Sequence, residues 1–309
     1  MDDMFISGSI GYIHLKNVNN QILLLSDNHS SKKYCTRNSQ FISDWLLTKN
    51  SKVLLEEVPR DKDSELLELW KTSEHIQKLK EIYLKQNINE EQIEAIDIRP
   101  LLIPFNLDIF KIDYIDKEYI KKIQNINISD YLKSLDSFFE LKHEYFIKNI
   151  GNVYIYININ NEQLKNHFLK IKNIFIDLKK QYDNNDLVKN IDEGFKNKID
   201  ELLSSIMEWY TIAKIFYNNK FCINKFIIHA GLFHTTNLNN ILIDLYGYEE
   251  INSNGIIDFD NIKDDDNDDD NCLKIPFSVN SQFGGYDKKY RKYKDKYLAL
   301  KKTKYFDAI

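Results

Sequence analysis

The chain reads as an α/β protein built on a central, mostly parallel sheet with helices on both faces. Two observations predict this. Short apolar runs recur at 22–25, 53–55, 93–98 and 226–228, each of strand length, and stretches of helical periodicity separate them. The runs at 22–25, 53–55 and 226–228 are apolar throughout rather than alternating, as expected of strands covered on both faces, which is how parallel strands are buried.

Taken in order, 22–25 is a first buried strand, followed by a polar loop and a helix over 39–47. A second strand over 53–55 leads into helix-like sequence from 64 to 84, and 93–98 is a third short apolar run. Helical sequence dominates 131–216, with a β-branched interlude at 153–159. A last buried strand at 226–228 precedes a turn at Gly231 and a helix near 238–245. These elements place one domain in 1–254.

The rest of the chain is set apart by charge. Residues 255–280 hold eight Asp and two Lys, and 281–309 hold nine Lys or Arg and three Asp. The Asp run at 264–270 repels itself, so 255–283 is expected to be an acidic disordered linker. A calcium loop is excluded there, because the turn glycine and the closing Glu are missing. In 284–309, Tyr286, Tyr290, Tyr293 and Tyr297 recur at helical spacing among basic residues. This basic, Tyr-rich C-terminal helix either lays its stripe on the main domain or docks on a partner; the pattern leaves both open.

Composition bounds the function. With 309 residues, 43% hydrophobic, 18 Phe and 19 Tyr, the chain buries a sizeable core and is not disordered throughout. Only 9 Gly and 4 Pro exclude collagen-like classes. No apolar run approaches the ~20 residues of a bilayer span, so no membrane span is predicted. Met1-Asp2-Asp3-Met4 lacks a basic region before an apolar stretch, so no secretory signal is expected. Cys35, Cys222 and Cys272 are odd in number and far apart. They predict neither a disulfide framework nor a Cys-based zinc site, and they favour a reducing compartment. Four Arg stand against 38 Lys, a bias that A/T-rich codons explain, so each structured Arg draws attention.

In parallel sheets the chemistry gathers at the carboxyl ends of strands. There the sequence places Ser26-Asp27-Asn28-His29, then Glu56-Glu57, then Asp97-Ile98-Arg99, and finally His229-Ala230-Gly231-Leu232-Phe233-His234. Each alone has an ordinary structural use, such as a helix cap or a solvated pair; four together point to a site. His14, His75, His143 and His167 lie in polar or helical surroundings and are given no functional role.

These motifs resemble a superfamily that links erythromycin esterases, haem-binding ChaN-like proteins and Tiki/TraB-type proteases. Gly231-Leu232-Phe233-His234 matches its late Gly-x-x-His motif. Ser26-Asp27-Asn28-His29 is similar to its early Gly-Glu-x-His motif, with Ser and Asp substituted. Leu55-Glu56-Glu57-Val58-Pro59 resembles its glutamate strand, in a register that favours Glu57, and Asp97-Ile98-Arg99 an acidic-plus-Arg motif. Glu208-Trp209-Tyr210 with Lys214 and Phe216 is similar to a helix motif Asp-x-Tyr-x-x-x-Arg-x-Phe. Gly284-Gly285-Tyr286 and the Lys-Tyr repeats after it resemble a terminal tag on proteins of giant amoebal viruses. That implies the host cytoplasm or the virion of a large DNA virus, and a viral protein partner for the C-terminal helix.

The resemblance implies a hydrolase of ester or amide bonds acting on a small-molecule or peptide substrate. His29, Glu57 and His234 would converge with Asp27 beside them, and the first three would bind a divalent metal such as Mn, Co or Zn. Without metal, a His–carboxylate pair would activate water directly. Arg99 would hold an anionic group or stabilise developing charge. Asp97, His229, Tyr210 and Lys214 would support these residues. The other reading is a non-catalytic ligand- or haem-binding relative, which Ser26 and Asp27 favour. Nucleic-acid binding through the Lys-rich tail is disfavoured, because the domain is acidic and the Asp run competes for the tail's charges.

Overall fold

The computed structural model describes residues 4–27, 35, 39–57, 92–102, 121, 125–142, 150–182, 186–259 and 272–283. A six-stranded sheet organises them. Its first four strands in spatial order are β6 (Ile93–Ala95), β5 (Lys52–Leu55), β7 (Lys225–Gly231) and β3 (Gln21–Asp27), all parallel. Antiparallel β2 (Gly11–Lys16) and β8 (Glu249–Gly255) complete one edge. Glycine is required where β2 meets the end of β8. A Cβ on Gly11 would lie 1.9 Å from the Ile256 carbonyl oxygen, and Gly255 has φ +81°.

The parallel strands are apolar on alternate faces in two sets. Ile22, Leu24, Leu54, Phe226 and Ile228 face one core, and Leu23, Leu25, Val53, Leu55 and Ile227 face another. The first core is covered by α3 (Ile128–Phe139), α4 (Gly151–Asn160), α5 (Glu162–Tyr182), α6 (Glu193–Asn219) and α7 (Leu232–Tyr246). Fully buried Trp209, Phe138, Phe175 and Phe195 fill it, and the Trp209 indole N–H donates to the Leu164 carbonyl at 3.1 Å. Helix α6 starts at Asp192, whose carboxylate accepts from the Phe195 amide at 2.7 Å and so satisfies one free N–H of the first turn. The second core lies under α1 (Ile42–Leu47), α8 (Phe277–Phe283) and a small sheet of β4 (Gln40–Phe41), β1 (Met4–Ser7) and β9 (Cys272–Ile275). A four-residue helix, α2 (Arg99–Leu102), follows β6.

Several expectations change. The β-branched interlude at 153–159 is helical within α4, because Val153 and Ile157, four residues apart, bury on one stripe against the core. Tertiary burial outweighs the weak β preference of these side chains. The acidic linker does not extend through 272–283: β9 pairs antiparallel with β1, and Leu273, Ile275, Val279 and Phe283 are buried in the second core. Four apolar side chains placed every second or fourth residue anchor this segment, whatever the charge of the run before it. Cys35 and Cys272 form a disulfide, correcting the expectation that the cysteines stay apart. Their separation of 237 residues in sequence is spanned by the fold, with Cα atoms 4.8 Å apart. Strands β1, β2, β8 and β9 add to those the apolar runs predict. The expected helix over 64–84, the Asp run at 264–270 and the C-terminal helix lie outside the described residues, as does the partner role assigned to that helix. Among the described residues, no helix is long and apolar enough to cross a membrane.

Candidate active site

The carboxyl ends of β5, β6 and β7 meet the middle of α6, and six side chains join there. Glu56 follows β5 and keeps its ladder, its amide donating to the His229 carbonyl at 2.9 Å. Two residues beyond Leu54, it shares that side chain's face of the sheet, towards the helices. Its Oε2 accepts from the Gly231 amide at 2.6 Å, at the first free N–H of the turn into α7. Its Oε1 accepts from Arg99 Nη2 at 2.7 Å.

Arg99 opens α2 after β6. Asp97, two residues earlier, accepts from Arg99 Nε at 2.7 Å and from Nη2 at 3.0 Å, a bidentate pair, and also from the Arg99 amide at 3.2 Å. Burial works against the guanidinium charge, but Asp97 and then Glu56 outweigh it and raise the Arg99 pKa above its ordinary value. The remaining partner of Arg99 is His234, with Nη1 2.8 Å from Nε2. A guanidinium has no acceptor, so the imidazole Nε2 accepts here and the neutral ring keeps its proton on Nδ1. That Nδ1–H donates to Glu208 Oε1 at 3.2 Å, and the same oxygen accepts from Asn237 Nδ2 at 2.9 Å. Glu208 lies on α6, and His234 and Asn237 lie three residues apart on α7, so both reach it from one helix face.

Exposure is uneven. The Glu208, His234 and Glu56 side chains are 4, 7 and 8% exposed, whereas Arg99 is 25% exposed and forms the solvent-facing side of the group. Two carboxylates, Asp97 and Glu56, pair with the one guanidinium of Arg99. Four of its five N–H groups are taken, and one Nη1–H is left beside the imidazole.

The other expected residues are placed as follows. Asp27 ends β3, buried, opposite Gly231 in the β3–β7 ladder, on the strand face of Leu23 and Leu25 rather than that of Glu56. Glu57 is buried after β5, and its carbonyl accepts from the Asp97 amide at 3.0 Å. The carboxylate after β5 that meets Arg99 is Glu56. His229 points to the other face of β7, its Nε2 3.4 Å from the Gly8 carbonyl, tying the main sheet to the end of β1. Lys214 pairs with Glu94 at 2.5 Å, and Glu94 pairs with Lys52 at 2.6 Å. Burial raises the Glu94 pKa, but Lys214 and then Lys52 outweigh it and hold it below the ordinary value. Tyr210 is buried, its ring centroid 6.0 Å from the Lys214 ammonium. His29 lies outside the described residues. Ser26 is bonded to Thr235 through their hydroxyls at 2.8 Å, which fastens β3 to the first turn of α7.

No group of three or more His, Cys, Asp or Glu among the described residues has metal-binding geometry, and Nε2 of His234 faces a guanidinium rather than a vacant ligand position. The fold and site define an α/β protein with a buried carboxylate–histidine–arginine chain at the carboxyl edge of its sheet. No family model, curated protein or solved structure matches this chain.

Proposed function

We propose that the protein hydrolyses an ester or amide bond, with His234 as general base. The observation that carries this reading is the chain Glu208–His234–Arg99. It leaves Nε2 unprotonated on the solvent side of the ring and puts a carboxylate behind Nδ1. In the proposed reaction the substrate carbonyl oxygen accepts from the Arg99 Nη1–H groups. A water molecule displaces the arginine from Nε2, gives that nitrogen a proton and attacks the carbonyl carbon. Glu208 holds the ring in orientation and balances the imidazolium, and Arg99 stabilises the oxyanion. The imidazolium then returns the proton to the leaving oxygen or nitrogen, which closes the cycle. Glu56 and Asp97 keep Arg99 in place. General-base catalysis of this kind contributes about 10²–10⁴-fold, and one oxyanion donor about 10²–10³-fold.

Kinship with the erythromycin esterase, ChaN-like and Tiki/TraB superfamily belongs to this proposal. It is supported by the position of Gly231 and His234 at the strand-to-helix turn and by Glu208, the first residue of the helix motif, meeting His234. The test is hydrolysis of 2-naphthyl acetate by the purified protein and by His234→Gln. The wild type turns it over, and the variant keeps its thermal transition while losing at least 10²-fold in kcat/KM. A folded wild type inert towards both esters and amides would replace this reading with that of a non-catalytic binding protein.

A further inference from the structure

Phe233 and Phe259 are 40% and 48% exposed, and their rings meet edge to face with centroids 5.7 Å apart at 85°. Phe233 is also edge-on to the His234 ring, at 5.3 Å and 78°. Phe259 is held there by its backbone: its amide donates to Thr236 Oγ1 at 3.2 Å, and Thr236 donates to the Leu232 carbonyl at 2.9 Å, in the first turn of α7. The two rings therefore form a fixed aromatic corner, continuous with the histidine that the proposed reaction uses. On the Nε2 side of that histidine stands the partly buried Arg99, whose charge is offset by Asp97 and Glu56 and which keeps one free donor. A ligand spanning both must offer a neutral acceptor to Arg99 and a flat apolar group to the corner.

We infer that Phe233 and Phe259 form the binding wall for an aromatic ring of the substrate, so that the protein acts on neutral aryl esters or amides rather than on short-chain ones. This rests on the hydrolase reading of His234 and names its substrate class. A third ring laid on one phenyl face meets the edge of the other, the arrangement aromatic groups favour. The geometry disfavours carboxylated ligands, because Glu56, Asp97 and Glu208 outnumber Arg99.

The experiment uses the full chain and two neutral, stable probes, 2-naphthamide and acetamide, titrated by ligand-observed saturation-transfer NMR. Wild type binds 2-naphthamide and gives no response to acetamide. Phe259→Ala, at an exposed position, weakens 2-naphthamide binding about tenfold, and Phe233→Leu, which keeps the apolar volume but removes the ring, weakens it in the same direction. Equal binding of 2-naphthamide by wild type and Phe259→Ala, or no binding by folded wild type, overturns the wall. The hydrolase reading fails separately. Naphthamide binding that depends on Phe259 without turnover of any ester upholds the wall and removes the catalyst, whereas turnover of 2-naphthyl acetate that ignores Phe259 removes the wall alone.

Discussion

Replacing Glu208 isolates what the buried carboxylate does for His234. In Glu208→Gln the side chain keeps its shape, and the amide oxygen still accepts from His234 Nδ1–H and Asn237 Nδ2–H, which lie at 3.2 and 2.9 Å. What is lost is charge. A hydrogen bond to an ionised partner is worth about 1.5–3 kcal/mol and a neutral one about 0.5–1.5 kcal/mol. The imidazolium that forms in the transition state therefore loses about 1–1.5 kcal/mol of support, or about tenfold in kcat. Stability should change by less than about 1 kcal/mol, since a buried charge is removed while both hydrogen bonds to the side-chain oxygen are kept. Glu208→Ala is harsher, because it leaves two buried donors without acceptors at about 1–3 kcal/mol each and frees the ring to change tautomer. Its kcat should fall about 10²-fold or more. Paired measurements of kcat for 2-naphthyl acetate and of urea unfolding separate the two effects, and ¹⁵N NMR of the imidazole reads the tautomer directly. Unchanged kcat in folded Glu208→Gln and Glu208→Ala would refute the reasoning, as would a wild-type ring protonated on Nε2 alone.

Two further predictions concern the scaffold. Burial, and then Lys170, pulls His167 down to about 4 from 6.5. Between those values the unfolded chain binds the proton and the folded one does not, so stability is lost as pH falls from 6.5 towards 4. His167→Gln should flatten that part of the pH–stability curve, and identical slopes in variant and wild type would contradict it. The Cys35–Cys272 bond closes a loop of 237 residues, so its reduction should lower stability by about 2–5 kcal/mol. The check is thermal unfolding with and without a thiol reductant, with bond cleavage confirmed by thiol labelling; equal midpoints would argue against it.

The parts of the fold legible in the sequence are those whose signal is local. Strands β3, β5 and β7 are buried on both faces, so each shows up as an apolar run, whereas β6 at the sheet edge is carried by Ile93 and Ala95 alone. Strand β8 reads Glu-Glu-Ile-Asn-Ser-Asn-Gly and lies exposed at a sheet edge, where pairing with β2 rather than hydrophobicity defines it. The sequence predicts a turn at Gly231 and a helix near 238–245, but α7 starts at Leu232, so His234 stands in its first turn rather than in a loop. At the site, the sequence reading names His234, Arg99 and Asp97, because each follows an apolar run. Glu56 was legible in principle, since it lies two residues beyond Leu54 and shares its face; preferring Glu57 amounts to a one-residue register choice, which swaps faces. Glu208 appears in the helix motif, but nothing local shows that α6 brings it to a histidine 26 residues later. The disulfide and the second core are contacts between distant segments, and no periodicity reports them.

In the proposed reaction Glu208 and His234 act as one catalytic unit on an ester or amide. A double-mutant cycle tests it most directly, measuring kcat/KM for 2-naphthyl acetate in wild type, Glu208→Gln, His234→Gln and the double variant. If Glu208 works through His234, the double variant is no slower than His234→Gln alone, and the two losses fail to add. Additive losses would mean that the two residues act independently, and no turnover by folded wild type would mean that the site does not catalyse this chemistry.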